Sequence, residues 1–308
     1  MPGRPGHAEP GAPATVVEFL VGVTGDPDGI ARRVAEGEVV LGDGTRVDTA
    51  TAYVPGGVVY LYRDLVEEPE VPGELTVLLH DERTGLMAVD KPPFLATMPR
   101  GGHVAQTAVV RVRRELDLPD LVPVHRLDRL TSGVLLLTTR PDVRAAYQRL
   151  VQEGGLAKAY AALAPLPDGL DLPLLVRNRI VKERGSLQAQ VVVGEPNAET
   201  LVELEDVVSP GVGRYRLTPR TGRTHQLRLH LAGLGIPIFG DPLYPVLREV
   251  AVDDWSTPLQ LLAREVSFTD PVSGEPRRIT SPRSLPIPPE GDAWPRQAVH
   301  HRGSRGGH

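Results

Sequence analysis

The sequence predicts an α+β protein built around one large sheet, and three observations carry that reading. From residue 75 onward, eight short segments have the length and the β-branched or aromatic content of strands. Two amphipathic helices are interleaved with them, without the regular strand–helix alternation of a doubly wound sheet. A chain of 308 residues with 41% hydrophobic content is also large enough to bury a substantial core.

In chain order, residues 1–14 are rich in Gly, Pro, Arg and His with little apolar content, as are residues 285–308, so both read as disordered tails. Residues 15–66 form a small unit: 30–35 reads as a short helix, 37–45 as a strand entering the Asp43-Gly44 turn, and 58–62 as a second strand. The acidic, Pro-containing run 67–74 reads as a linker, and residues 75–284 as the main domain. Strands are expected at 76–79, 86–89, 134–139, 159–163, 187–193, 200–208, 215–217 and 259–268. Residues 141–154 place Val143, Ala146, Tyr147, Leu150 and Val151 on one helical face, with Pro at the start and Gly at the end. Residues 224–235 repeat the logic with Leu227, Leu231 and Leu234, and Gly235 is available as the stop; Arg228 sits beside that face.

Composition narrows the function. The chain has no cysteine, which excludes a disulfide framework, a thiol nucleophile and cysteine-ligated metal. No run approaches the roughly 20 apolar residues that span a membrane, and a cytoplasmic protein is the simplest reading. The net charge of −5 argues against indiscriminate coating of nucleic acid. Charge is segregated, however. Acids gather at Asp64, Glu67, Glu68, Glu70 and Glu74, whereas the stretch 214–230 carries Arg214, Arg216, Arg220, Arg223 and Arg228 with no acid. Basic residues also gather at 100–114 and 125–129.

Two blocks concentrate chemistry. In His125-Arg126-Leu127-Asp128-Arg129-Leu130-Thr131-Ser132-Gly133 a carboxylate lies between two arginines just before a strand, where it either meets a ligand or caps a turn. The second block runs from Pro219 through Arg220, Thr221, Gly222, Arg223, Thr224, His225, Gln226, Leu227 and Arg228 to Gly240-Asp241-Pro242-Leu243-Tyr244. Arginines at a turn and a helix start bind phosphate, or else form a solvated basic face.

Together these blocks resemble the RluA-type family of RNA pseudouridine synthases, whose catalytic signature is similar to HRLD followed by TSG and whose later signature is similar to GRTHQLR followed by GDPLY. Val89-Asp90-Lys91-Pro92-Pro93 and Lys158-Ala159-Tyr160 resemble two further family segments, so the likeness spans about residues 75–282. It implies a mixed, mostly antiparallel sheet with flanking helices and a cleft across one face. The unit at 15–66 resembles a degenerate S4-like RNA-binding module. The sequence departs from the family pattern at 94–99, at Leu262 and at Asp270, which bears on substrate choice more than on reaction type.

The resemblance implies that Asp128 is the catalytic carboxylate, acting as nucleophile or as base on the sugar. Arg228 would hold it charged and aimed. Tyr160 would stack on the uracil and later help remove the C5 proton. His125, Arg126, Arg129, Lys158, Arg220, Arg223, Thr224 and His225 become the RNA-binding candidates, with Arg126 a candidate to fill the place of an extruded nucleotide. Breaking N1–C1′ and joining C5 to C1′ is redox-neutral, so neither cofactor nor metal is expected. The partner is ribosomal or transfer RNA, and a monomer suffices. Two other readings are a non-catalytic RNA-binding factor on the same fold and a glycoside hydrolase, which normally needs two opposed carboxylates.

Overall fold

The computed structural model describes residues 13–61, 68–99 and 103–286. They form two compact units, which divide between residues 67 and 68. The sequence expectations at 1–12, 62–67, 100–102 and 287–308, including most of both tails, lie outside the described residues.

The smaller unit contains α1 (Val16–Thr24), α2 (Pro27–Ala35), β1 (Val39–Leu41) and β2 (Val59–Leu61). Thr15 Oγ1 accepts the Glu18 N–H and Asp26 the Gly29 N–H, so both helices start on capping side chains. Val16, Leu20, Ile30, Val39 and Val47 form a core of its own. Helix α1 escaped the sequence reading because Val-Val-Glu-Phe-Leu-Val-Gly-Val is apolar nearly throughout and shows no clear stripe.

The larger unit is an eleven-stranded sheet. Its first members are β3 (Thr76–Asp81) and β4 (Leu86–Lys91), followed by helix α3 (Ala108–Leu116), β5 (Val122–Pro123) and β6 (Ser132–Thr138). Helix α4 (Arg144–Gln152) leads to β7 (Ala157–Pro165), β8 (Leu174–Val181), β9 (Gln190–Val192), β10 (Ala198–Ser209) and β11 (Val212–Pro219). Helix α5 (Gln226–Gly233), β12 (Leu261–Thr269) and β13 (Pro276–Thr280) complete it. The spatial order is β3-β4-β6-β12-β7-β11-β10-β8-β9, with β5 on β6 and β13 on β12. Among the described strands β6 and β12 pair in parallel, Leu262 opposite Ser132, and the other pairs are antiparallel.

Every residue of β4 and β6 is buried because both sheet faces are covered. Met87, Val89, Leu135 and Leu137 pack with Val109 and Val112 of α3 and with Leu227 and Leu231 of α5. Their neighbours Leu86, Ala88, Val134 and Leu136 pack on the other side with Val143, just before α4, and with Tyr147 of α4. The expected apolar faces of α4 and α5 are therefore the faces that bury.

Several expectations need correction. The expected linker at 67–74 is anchored over its described part: the Glu68 carboxylate accepts N–H groups of Val104, Ala105 and Gln106 at 2.7, 2.8 and 2.9 Å, and Val71 is in the core. Leu285, placed in a tail, packs against Ala161, Leu163 and Leu262. The strand expected at 187–193 shortens to β9, leaving Leu187 and Val193 exposed. Helix α3 and strands β8 and β13 were not anticipated. Within the basic stretch around α3, Arg111 donates to Val71 O and Arg113 to Leu121 O. Asp270, a departure from the family pattern, accepts the Tyr147 hydroxyl at 3.0 Å and pairs with Arg277 inside the fold.

Candidate active site

The loop before β6 is fixed from several directions. Val124 N–H donates to Leu136 O, and Leu136 N–H donates back to His125 Nε2 at 3.2 Å. His125 is buried, and burial, with help from Lys158, pushes its imidazole down to about 3. It is neutral with Nδ1 carrying the proton, so this RNA-binding candidate instead shapes the loop. Thr97 Oγ1 clamps Leu127 by donating to its carbonyl at 2.8 Å and accepting its N–H at 3.1 Å. The buried Lys91 ammonium donates to Pro92 O, Leu95 O and Arg129 O. Burial brings Lys91 down to about 7, against the opposing pull of Asp128.

The turn closes through the backbone, Thr131 N–H to Asp128 O at 3.1 Å. Among the described residues no N–H of the turn donates to the Asp128 carboxylate, which is 28% exposed. Asp128 is thus not a turn cap. Gly133 follows with φ 108°, and a Cβ there would lie 2.2 Å from Ala263 O, which is why the β6–β12 junction requires glycine.

Helix α5 delivers the basic partner. Arg228 is buried, and its fork binds Asp241 through Nε–Oδ2 at 2.7 Å and Nη2–Oδ1 at 2.6 Å. Its remaining nitrogen, Nη1, lies 3.8 Å from Asp128 Oδ2. Burial works against the guanidinium charge, yet Asp241 above all, then Asp128, hold its pKa above the ordinary range. Arg228 therefore faces Asp128 while being oriented by Asp241, a partner the sequence reading did not assign. Asp241 also accepts the Leu243 and Tyr244 N–H groups, and the Tyr244 ring lies 5.3 Å from the Arg228 Cζ. The Gln226 side chain ties Thr221 and Arg223 to Glu199 and Thr200, which sets the shape of the loop before α5.

Strand β7 contributes Lys158 and Tyr160, two residues apart and hence on one face. Burial and then the Asp128 charge push the Tyr160 phenol well above its usual value, so it stays protonated at neutral pH. Burial lowers Lys158.

These groups converge on a cleft of about 670 Å³ lined by Asp128, Tyr160 and Arg228 together with Arg126, Lys158, Arg220, Arg223, Thr224, His225 and the buried His125. Arg129 is not among its lining residues and is half-buried, with burial lowering its guanidinium pKa. Arg220 is tied to Glu199 at 2.6 Å, and Arg223 donates to Asn197 O. Among the described residues the lining holds five Arg or Lys residues and a single carboxylate, Asp128. One carboxylate does not make the opposed pair of a typical glycoside hydrolase.

Tyr160 of β7 and Arg228 of α5, in an arginine-rich cleft with one half-buried carboxylate among the described residues, define an enzyme acting on nucleic acid without an acid–base pair of carboxylates. Residues 85–233 match the family described as RNA pseudouridylate synthase. An uncharacterised RNA pseudouridine synthase of Synechocystis is 33% identical over 215 residues, covering 69% of this chain and 72% of that protein. The dual-specificity RNA pseudouridine synthase RluA of Salmonella typhi is 33% identical over 205 residues, 65% of this chain and 89% of that protein. Among solved structures, human RNA pseudouridylate synthase domain containing 4 superposes with a TM-score of 0.50 at 25% identity, over 68% of this chain and 88% of that one. The chain belongs to the RNA pseudouridine synthase family, and it isomerises uridine in RNA to pseudouridine. Among the described residues no helix is long and apolar enough to cross a membrane.

Proposed function

We propose that Asp128 is the reacting carboxylate of this synthase, acting on uridines of ribosomal or transfer RNA. The observation that carries the assignment is its position: among the described residues it is the one carboxylate lining the cleft, uncapped by its own turn and faced by a buried arginine. Either attack on C1′ or removal of a sugar proton breaks the N1–C1′ bond and leaves the uracil bound as an anion. The base rotates and C5 bonds to C1′, which displaces Asp128 from C1′ in the first route and, in the second, goes with return of the proton to the sugar; the C5 proton then departs and N1 gains one. Arg228 faces Oδ2 of Asp128 and orients it. Tyr160 stacks on the uracil; because its phenol is held protonated, it assists proton loss from C5 as a relay rather than as a phenolate.

Arg126, Lys158, Arg223 and Thr224 contact the RNA backbone, with Arg126 filling the place of the flipped nucleotide, while Arg220 and His225 line the same cleft on protein partners. Flipping costs a few kcal/mol, so loops and distorted helices are the preferred targets. The smaller unit, with a core of its own, serves as an S4-like RNA-binding module. The enzyme works as a cytoplasmic monomer, without metal or cofactor.

The test is Asp128→Asn, which keeps shape and removes the charge. Single-turnover pseudouridine formation should vanish while RNA affinity and thermal stability persist. Substantial residual turnover by a folded, RNA-binding variant rejects the assignment. Mapping pseudouridines in total RNA with and without the gene identifies the substrate class.

A further inference from the structure

Asp128 has two neighbours of donor character, and both make their nearest approach to the same oxygen. Arg228 Nη1 lies 3.8 Å and His225 Nε2 4.0 Å from Oδ2. The histidine is held where it can do this by an unusual backbone. His225 has φ 57° and ψ 21°, a left-handed conformation that side-chain-bearing residues seldom adopt, at the residue that opens α5. Its ring stands nearly perpendicular to that of Tyr244 at 5.6 Å, and its Nδ1 is 2.9 Å from the Tyr244 hydroxyl. That hydroxyl in turn accepts the Ala189 N–H at 2.7 Å, and its single proton has two acceptors within reach, His225 Nδ1 at 2.9 Å and Ala189 O at 3.1 Å.

We propose that His225 is a positioning residue for the isomerisation: the Tyr244 hydroxyl donates to Nδ1, which puts the ring proton on Nε2, and the Nε2–H together with Arg228 holds Oδ2 of Asp128 so that Oδ1 is the reacting oxygen. This rests on Asp128 being the reacting carboxylate. At 4.0 Å the Nε2–H is short of a hydrogen bond, and a small rotation of the carboxylate as RNA excludes water from the cleft closes the gap. A carboxylate with one oxygen fixed presents the other in one direction, whereas an unfixed one divides its time between rotamers and loses effective concentration at the sugar.

The groups facing His225 are Asp128, Arg228, Asp241, Lys182 and Tyr244. Burial and then the arginine lower its pKa, with Asp128 opposing. The neutral tautomer therefore prevails at neutral pH. On acidification the ring gains a proton on Nδ1, Tyr244 turns its own proton to Ala189 O at 3.1 Å, and a full positive charge faces Oδ2. That charge draws electron density from the carboxylate, so turnover falls on the acid side with an inflection below about 6.5, the ordinary histidine value.

The experiment uses the full chain, RNA at saturation and three proteins. His225→Asn suits a left-handed backbone and keeps a group at the Nδ1 position but none at Nε2. His225→Gln carries an amide to the Nε2 position and does not titrate. The expected result is a 10- to 100-fold loss of single-turnover rate in His225→Asn, at unchanged saturating affinity and melting temperature, the scale on which loss of orientation acts. His225→Gln should recover most of that loss and lose the acid-side inflection. The proposal is overturned if His225→Asn turns over like the parent, if the two variants lose rate equally while folded, or if the entire effect is weaker RNA binding. Asp128→Asn run in parallel separates the premises: an active Asp128→Asn defeats the carboxylate assignment, whereas an inactive Asp128→Asn beside a fully active His225→Asn defeats the positioning role alone.

Discussion

The Asp241–Arg228 pair offers the sharpest quantitative test of how this site is built. Its members are 1% and 2% exposed, so neither charge has water to fall back on. Asp241→Asn preserves size and one oxygen for the Leu243 and Tyr244 N–H groups, but it places an amide NH₂ against the guanidinium and leaves that cation buried without an anion in its fork. Removing one partner of a buried pair costs about 3–5 kcal/mol. That is a large part of a typical domain stability of about 5–15 kcal/mol. For a unit of this size, roughly 2–4 °C per kcal/mol translates the loss into a fall of about 6–20 °C in melting temperature. Differential scanning calorimetry of the full chain, following the transition of the larger unit, measures it. Arg228→Met in the same chain should restore part of the stability lost by Asp241→Asn, because the stranded charge is then gone, with a coupling of about 1–3 kcal/mol. A melting temperature within about 2 °C of the parent, or strictly additive single and double variants, would refute the argument that Asp241 supports Arg228 by charge.

Three further expectations follow from particular contacts. His125 is held neutral, with its pKa down at about 3 against about 6.5 when unfolded, so the unfolded chain binds the extra proton between those values and stability falls as pH drops through that window, by about 1.4 kcal/mol per pH unit from this group. His125→Gln keeps an acceptor for the Leu136 N–H and should flatten that slope in urea titrations between pH 7 and 4; an unchanged slope would count against it. Gly133→Ala meets Ala263 O at 2.2 Å from a positive φ and should destabilise the larger unit by at least about 2 kcal/mol, with chemical denaturation as the measurement. Of the five cleft cations, Arg228 and Arg220 are committed to Asp241 and Glu199, which leaves Arg126, Lys158 and Arg223 for phosphate. Three contacts to single-stranded RNA predict roughly a 20-fold loss of affinity between about 50 and 200 mM salt, and a flat response would remove the proposed phosphate track.

Elements whose burial is one-sided were legible in the sequence. Helix α4 showed its face through Val143, Tyr147 and Leu150 because one side meets the sheet and the other water. Strands β4 and β6 were found by length and composition, as they are buried on both faces and do not alternate. Strand β8 was missed because its exposed Arg177 and Arg179 alternate with half-buried and buried partners on a peripheral strand where packing is thin. Helix α3 was obscured by its arginines, whose guanidinium groups turned out to satisfy backbone carbonyls at Val71 and Leu121.

The site divides along the same line. The local sequence determined which residue types stand at the head of β6 and of α5, and by itself it determined the fold class, the family and the choice of Asp128, Tyr160 and Arg228 as the groups to examine. It could not determine which acid holds Arg228, that His125 turns inward to receive Leu136, or that His225 and Arg228 share one oxygen of Asp128. Asp128 and Arg228 are one hundred positions apart, and Asp241 reaches the guanidinium from a segment whose Phe239 N–H is anchored on Leu163 O of β7. Partnership of this kind is set by distance and by exclusion of water, and both exist only once the sheet has brought distant segments together.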